Sequence, residues 1–223
     1  MAKPIRVHQN IYMIGDSDLS HPNDCSVYLI DAGDLLLIDS GAGMSFHKLV
    51  KNIERVGLDP KNLKAVLATH AHIDHIGALQ QFKQEFDVEI IAHELDANAI
   101  ETGVGTGAEF YGVEYNPCSV DVRLQGDTTT LVFGEYEINT VHIPGHTPGS
   151  IAAYVDIDNQ RVLFGQDIHG PYVPQWGGDP AKARQSLQKL IDLKADILCE
   201  GHFGIYKPAK SVEKYIRQYL NAL

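Results

Sequence analysis

Thr69-His70-Ala71-His72-Ile73-Asp74-His75 decides how this 223-residue chain is read. Four side chains able to ligate a metal fall within six residues, directly behind the apolar, β-type run Leu63–Ala68. Imidazole nitrogens and carboxylate oxygens suit zinc, iron and similar ions. Along an extended turn side chains alternate in direction, so His70 and His72 project together. Asp74 and His75 can then turn toward a second point close by. One ion seldom takes four ligands from so short a segment, so two adjacent metal positions are the economical expectation.

Three residues further along belong with this cluster. His146 lies in the rigid turn Ile143-Pro144-Gly145-His146-Thr147-Pro148-Gly149, between two strand-like runs. Asp167 closes the run Val162–Asp167, and His202 follows Asp196–Gly201. Each stands at a strand end, where a sheet edge can present it to a shared cleft. A lone histidine behind a strand is usually satisfied by ordinary hydrogen bonds. An HxHxDH cluster joined by three more strand-end ligands is not explained that way.

The surrounding pattern supplies the scaffold. Ile11–Ile14, Ser26–Ile30 and Leu35–Ile38 read as strands of a meander, followed by a helix carrying Phe46, Leu49, Val50 and Ile53 and capped at Gly57. Leu63–Ala68 is a buried strand, Ile76–Phe86 a helix and Val88–Ala92 another strand. Glu101–Ser119 has no clear period and is expected to be a long loop. The plan then repeats: strand-like Thr129–Phe133, Tyr136–Ile143, Ile151–Val155 and Arg161–Phe164, a helix opened by Asp179-Pro180, the strand Asp196–Cys199, and a last helix with Val212, Tyr215, Ile216, Tyr219 and Leu220. Two similar halves, each a sheet with helices outside, are expected to pack sheet on sheet as a four-layer αββα sandwich within one domain spanning 1–223.

Composition narrows the function. The net charge is −11, and no Lys/Arg cluster forms a patch for nucleic acid, so a nucleic-acid partner is not expected. The N-terminal Met1-Ala2-Lys3-Pro4 is followed by no signal-type apolar stretch, and no run is long enough to span a membrane. Cys25, Cys118 and Cys199 share no metal-type spacing and read as reduced thiols, placing the protein in the cytoplasm.

At this point the chain resembles a known family. HxHxDH at 70–75, Gly145-His146-Thr147-Pro148-Gly149-Ser150, the strand-end Asp167, Gly201-His202 and the early turn Asp39-Ser40-Gly41 together look like the metallo-β-lactamase superfamily, in particular its small glyoxalase-II-like and lactonase-like hydrolases. Asp at 167 where one group of β-lactamases has Cys, and His at 72 where the flavodiiron branch has Glu, set the chain apart from both. The resemblance implies that His70, His72 and His146 hold one metal, that Asp74, His75 and His202 hold a second, and that Asp167 bridges them. It implies two divalent ions, zinc first with iron or manganese as alternatives. Asp39 would orient a ligand imidazole. The implied activity is cleavage of a thioester, lactone or related ester of a small acyl substrate by activated water, with Asp74 moving the proton. Tyr172 would act as a phenol over the substrate carbonyl. His169, two residues after Asp167, is a candidate to face the cleft; His21, Phe110, Tyr111 and Tyr115 are candidates for the pocket mouth; His8, His47, His93 and His142 receive no role. The same ligands leave open a mononuclear non-haem iron dioxygenase acting on a thiol or persulfide, and a phosphodiesterase or β-lactamase-type activity. Two segments free of Lys and Arg, Glu101–Ser119 and Ile168–Gly178 with Trp176, are expected to wall the pocket and so to favour a neutral substrate with an apolar portion.

Overall fold

The computed structural model describes residues 2–223, the side chain of Trp176 excepted. The chain opens as a meander in which β1 (Ile5–His8), β2 (Ile11–Gly15), β3 (Val27–Ala32) and β4 (Asp34–Ile38) pair antiparallel in turn. Next come α1 (Phe46–Arg55), β5 (Leu63–Leu67), the one-turn α2 (Ile73–Ile76), α3 (Leu79–Phe86), β6 (Glu89–His93), α4 (Glu94–Thr102), α5 (Ala108–Tyr111) and β7 (Val122–Leu124). Strands β5, β6 and β7 add in parallel to β4, completing a seven-stranded sheet ordered β1-β2-β3-β4-β5-β6-β7. The second half begins with β8 (Thr128–Phe133), β9 (Tyr136–His142), β10 (Ile151–Ile157) and β11 (Gln160–Gln166), again antiparallel. It continues with α6 (Pro180–Asp192), β12 (Ile197–Glu200) parallel to β11, β13 (Ile205–Tyr206) and α7 (Ala209–Leu220). This sheet has six strands, ordered β13-β12-β11-β10-β9-β8.

Central strands are apolar on both faces because both faces are covered. In β4, Leu36 and Ile38 point into the layer between the sheets, while Leu35 and Leu37 point outward under α1 and α3. In β11, Val162 and Phe164 face inward, and Leu163 packs with Leu187 of α6 and Ile216 of α7. Three apolar layers separate four structural ones, which is the αββα sandwich. Each aliphatic side chain taken wholly out of water contributes about 1.5–3 kcal/mol. Local signals agree with this packing. The Asp179 carboxylate caps α6 by accepting from Ala181 N and Lys182 N, with Pro180 at the first helical position.

At one end of the sandwich three hydrogen bonds tie the sheets together. Ser26 N donates to Gly201 O at 2.6 Å, Ile151 N to Thr69 O at 2.9 Å, and the Tyr28 hydroxyl to Glu200 O at 2.8 Å. All of them fall beside the residues singled out as ligands. The parallel pairs β4/β5 and β11/β12 deliver their carboxyl ends to this same edge, where open sheets commonly bind ligands.

The structure departs from the sequence reading in places. Glu101–Ser119 is not a uniform loop: it starts in the last turn of α4 and contains α5. The apolar stripe of α4 is narrow, and local features define it instead. Acidic Glu94 and Asp96 occupy its first turn, and Gly103 ends it at a φ of 78°. The short strands β1, β7 and β13 lack enough period to stand out. The helix expected over Ile76–Phe86 starts only at Leu79, as α3, and Gly77-Ala78 separates it from Ile76, the last residue of α2, because Gly77 is pressed against the turn behind β4. Its N–H donates to Gly41 O at 2.8 Å, and a Cβ on Gly77 would stand 2.2 Å from the Ala42 carbonyl carbon. Among the described residues no helix is long and apolar enough to cross a membrane.

Because that close contact is with backbone, it cannot yield by a rotamer change. Gly77→Ala is expected to lower the free energy of unfolding by about 1–3 kcal/mol. Urea denaturation of the two proteins under matched conditions checks this; an unchanged midpoint would contradict the packing described.

Candidate metal centre

All seven residues expected as ligands meet at the edge where the sheets are tied. The ligand atoms of His70, His72 and His146 lie within 4.8 Å of one another, as do those of Asp74, His75 and His202 and those of His70, His75 and Asp167. His70 Nε2 and His72 Nδ1 are 3.1 Å apart. Asp167 stands between the groups. Its Oδ1 is 3.2 Å from His75 Nε2, and its Oδ2 is 3.5 Å from His146 Nε2 and 3.4 Å from His202 Nε2. His202 Nε2 also lies 3.1 Å from Asp74 Oδ2. The carboxylate of Asp167 fits here because residue 201 is glycine: a Cβ on Gly201 would lie only 2.1 Å from Asp167 Oδ1.

Three of the imidazoles are locked by what holds their other nitrogen. His75 Nδ1–H donates to Asp39 Oδ2 at 2.8 Å, and His146 Nδ1–H to the Pro171 carbonyl at 2.9 Å. Thr69 Oγ1 donates its own proton to Asp39 Oδ2 at 2.8 Å, which leaves it to accept from His70 Nδ1–H at 3.1 Å. In each ring the proton is therefore on Nδ1, and the Nε2 lone pair points into the cleft. His75 Nε2, His146 Nε2 and Asp167 Oδ1 are buried without any hydrogen-bond partner. Buried polar atoms are rarely left so. Three of them converging, all with lone pairs inward, fit a cation at that spot.

The electrostatics point the same way. Burial and neighbouring histidines hold His70 well below the usual imidazole range. Burial likewise pushes His146 down to about 4 and lowers His72. This trio is neutral and ready to ligate. On the other side, burial opposes charge on His202, but its hydrogen bonds to Asp167 and Asp74 outweigh burial and lift it to about 10. Burial alone would raise Asp167, yet His75 and His202 hold it well below the ordinary carboxylate range. The carboxylates thus draw a proton onto His202, a charge that a divalent ion supplies instead when it binds.

Four groups that build this site escaped sequence reasoning or carried no role there. Thr69 relays Asp39 to His70. The Pro171 carbonyl fixes His146. Asp96, buried, accepts from Ala71 N (2.9 Å), Thr147 Oγ1 (2.6 Å) and Gly149 N (2.6 Å), clamping the HxHxDH turn to the turn that carries His146. Glu200 accepts from His202 N at 2.7 Å and Phe203 N at 2.8 Å, shaping the His202 loop. Only a carboxylate at a strand end or in a first helical turn hinted at the last two, and such positions are common.

The aromatic candidates separate. The Tyr172 hydroxyl, expected above a substrate carbonyl, donates instead to Ile168 O at 2.5 Å, because its loop folds back on itself beside His146. Tyr115 is turned inward and donates to Ile100 O at 2.9 Å, so it does not line the mouth. Tyr111 lies next to Asp74, and burial together with that carboxylate raises its phenol above the usual range. Phe110 is 68% exposed on the same one-turn helix, and Phe203, 58% exposed, faces outward behind His202. His21 joins none of the ligand groups, and its Nδ1 accepts from Asn23 N at 3.2 Å. The side chain of Trp176 lies outside the described residues.

Comparison with known proteins agrees with this geometry. The family model of the metallo-beta-lactamase superfamily matches residues 22–202. A probable metallo-hydrolase of Bacillus subtilis, YqgX, is 32% identical over 145 residues, covering 65% of this chain and 66% of its own length. A hydroxyacylglutathione hydrolase of Haemophilus influenzae, GloC, is 30% identical over 206 residues, covering 89% of this chain and 93% of its own. Among solved structures, a metallo-beta-lactamase from Cronobacter sakazakii superposes with a TM-score of 0.84 at 20% identity, over 100% of this chain and 95% of that one.

If Asp39 holds two imidazoles in register, removing it loosens metal without removing a ligand. Asp39→Ala is expected to weaken metal retention about 10–100-fold, and Asp39→Asn less. Competition against a chelator, with metal counted by mass spectrometry, measures this. Unchanged retention in Asp39→Ala would show that the ligand rings are held by other means.

Proposed function

We propose, on the premise that the chain belongs to the metallo-β-lactamase superfamily of metal-dependent hydrolases, that it is a dinuclear enzyme cleaving a thioester, or a lactone of similar size, in a small acyl substrate. The observation that carries the metal chemistry is the convergence of His75 Nε2, His146 Nε2 and Asp167 Oδ1, all buried and unpartnered. His70, His72 and His146 would hold one ion, and Asp74, His75 and His202 the other, with Asp167 between them. Divalent ions there supply a water acidified toward a pKa of about 7 and a polarised carbonyl oxygen. Zinc is the first choice for imidazole-rich positions, with iron or manganese next.

The chain's own residues do the rest. Asp39, Thr69 and the Pro171 carbonyl keep the ligand rings in one tautomer. Asp96 keeps the two ligand-bearing turns at a fixed separation. The Asp74 carboxylate takes the proton lost by the attacking water and returns it to the departing thiolate or alkoxide. Tyr111, beside Asp74, and Phe110 form an apolar lip. Neither that segment nor Ile168–Gly178 carries a Lys or Arg, so no fixed cation awaits a phosphate. This favours an uncharged acyl group, and likeness to a hydroxyacylglutathione hydrolase over most of both chains supports a thioester. The second trio, complete at Asp74, His75 and His202, favours two ions over the single iron of a dioxygenase.

Two outcomes are expected. Asp167→Ala loses on the order of 100-fold or more of the activity, since ligand loss exceeds the effect of removing an outer partner. Tyr172→Phe loses little activity and about 1 kcal/mol of stability, its hydroxyl serving only Ile168 O. Equal activity losses at full metal occupancy would contradict this ranking. Separately, in a hydrolysis panel with matched metal loading, an uncharged thioester or lactone is turned over faster than a nucleotide phosphodiester or a β-lactam. A clear preference for the phosphodiester would move the substrate assignment to nucleic-acid-type chemistry.

A further inference from the structure

One histidine at the cleft has no place in the ligand set above. His169 follows β11 on the loop behind Asp167, and its Nδ1–H donates to Glu200 Oε1 at 2.9 Å. Glu200 is buried at the end of β12, and its other oxygen is already taken by His202 N and Phe203 N. A buried carboxylate acceptor keeps the ring proton on Nδ1, which leaves the Nε2 lone pair facing the cleft. That nitrogen is 3.9 Å from Asp167 Oδ2, and the ligand atoms of Asp167, His169 and His202 all lie within 4.8 Å of one another. Two donors bound to one ion at about 2.0–2.2 Å can be at most about 4.4 Å apart, so the Asp167–His169 spacing allows a shared ion.

The first half uses the same device. There a buried carboxylate at the end of β4, Asp39, fixes the imidazole behind the adjacent parallel strand β5, His75. Here Glu200 at the end of β12 fixes the imidazole behind the adjacent parallel strand β11, His169. In the first half the fixed ring is a ligand under the two-metal reading.

We propose that His169 is a further ligand of the second metal position, reached beside Asp167 and His202, which gives that position more protein donors than a four-coordinate ion uses and suits a five- or six-coordinate ion such as iron(II), cobalt(II) or nickel(II). The inference rests on the two-metal reading. Four-coordinate zinc would leave part of such a set unused. The competing role for His169 is only to satisfy Glu200, with its ring edge-on to Phe203 at 4.7 Å.

Cobalt(II) titration of the whole chain, stripped of metal by chelation, separates these cases. Two equivalents should bind, the second with the weak d–d absorption of a five- or six-coordinate ion. In His169→Ala the second equivalent should bind about 10–100-fold more weakly and absorb with the stronger bands of lower coordination, the first equivalent being unchanged. His169→Gln, which can still donate an N–H to Glu200, should behave like the alanine variant; thermal unfolding of the metal-free proteins checks that both fold. Two equivalents bound with unchanged affinity and spectrum in both variants would overturn the inference alone. Full retention in His169→Gln would also overturn it, assigning the ring to Glu200. Binding of a single equivalent by the unaltered chain would overturn the two-metal reading, and this inference with it.

Discussion

Four of the carboxylates buried at the join of two sheets, Asp39, Asp96, Glu200 and Asp167, are the constraint on which this molecule is organised. A carboxylate taken out of water must be met by donors or cations, or it costs several kcal/mol. Asp39 is met by Thr69 N, the Thr69 hydroxyl and His75 Nδ1–H. Asp96 is met by Ala71 N, Thr147 Oγ1 and Gly149 N. Glu200 is met by His169 and two backbone N–H groups. Asp167 alone keeps an oxygen that nothing donates to. The first three carboxylates set the shape of the turns; the fourth marks where charge is still wanted. The HxHxDH turn takes its conformation from two of these acceptors, one on each side.

The backbone is held at a cost to reach this arrangement. Asp39 has a φ of 63° and Gln166, immediately before Asp167, a φ of 50°. Left-handed backbone at a residue with a Cβ costs roughly 1–2 kcal/mol. Both strained positions lie just behind or at the end of a parallel strand, and both turn a carboxylate toward the cleft. Burying one or two of the aliphatic side chains between the sheets is enough to offset each. The parallel pair in each half is what makes the placement possible, since neighbouring parallel strands deliver their carboxyl ends side by side. A carboxylate from one can then reach an imidazole from the loop behind the other, as Asp39 reaches His75 and Glu200 reaches His169.

Much of this was legible in the sequence because it is local or strictly periodic. The strands of both meanders apart from β1, together with α1, α6 and α7, follow from apolar period and caps. The candidate ligand set follows from six consecutive positions and three strand ends. What stayed hidden is non-local. Asp96 sits 25 residues from Ala71 and 51 from Thr147, yet joins them, and no spacing rule links such positions. The break between α2 and α3 at Gly77-Ala78 depends on Ala42 pressing against Gly77. Tyr172 had the residue type and the neighbourhood of a catalytic phenol, but its orientation is decided by the carbonyl of Ile168, four residues back. His169 illustrates the converse: its place two residues after Asp167 suggested that it could face the cleft, and a buried Glu200 gives its ring a direction.

The two sides of the cleft differ in charge, and this bears on what the site can hold. The trio His70, His72 and His146 is neutral, whereas Asp74 and Asp167 lie on the side of His75 and His202. Two divalent ions would bring four positive charges against the two negative charges of those carboxylates, leaving about two in excess. In a buried setting such an excess must be met by hydroxide and by developing negative charge on a substrate oxygen. The rim then needs no lysine or arginine of its own, and the bordering segments Glu101–Ser119 and Ile168–Gly178 contain none. With the centre supplying the cationic character, the mouth is left to select by shape and apolar contact. Under the proposed function, that division would leave the reaction to residues held on strand ends by buried carboxylates, and the choice of substrate to aromatic side chains such as Phe110 and Tyr111 on a one-turn helix bounded by glycines 107 and 112.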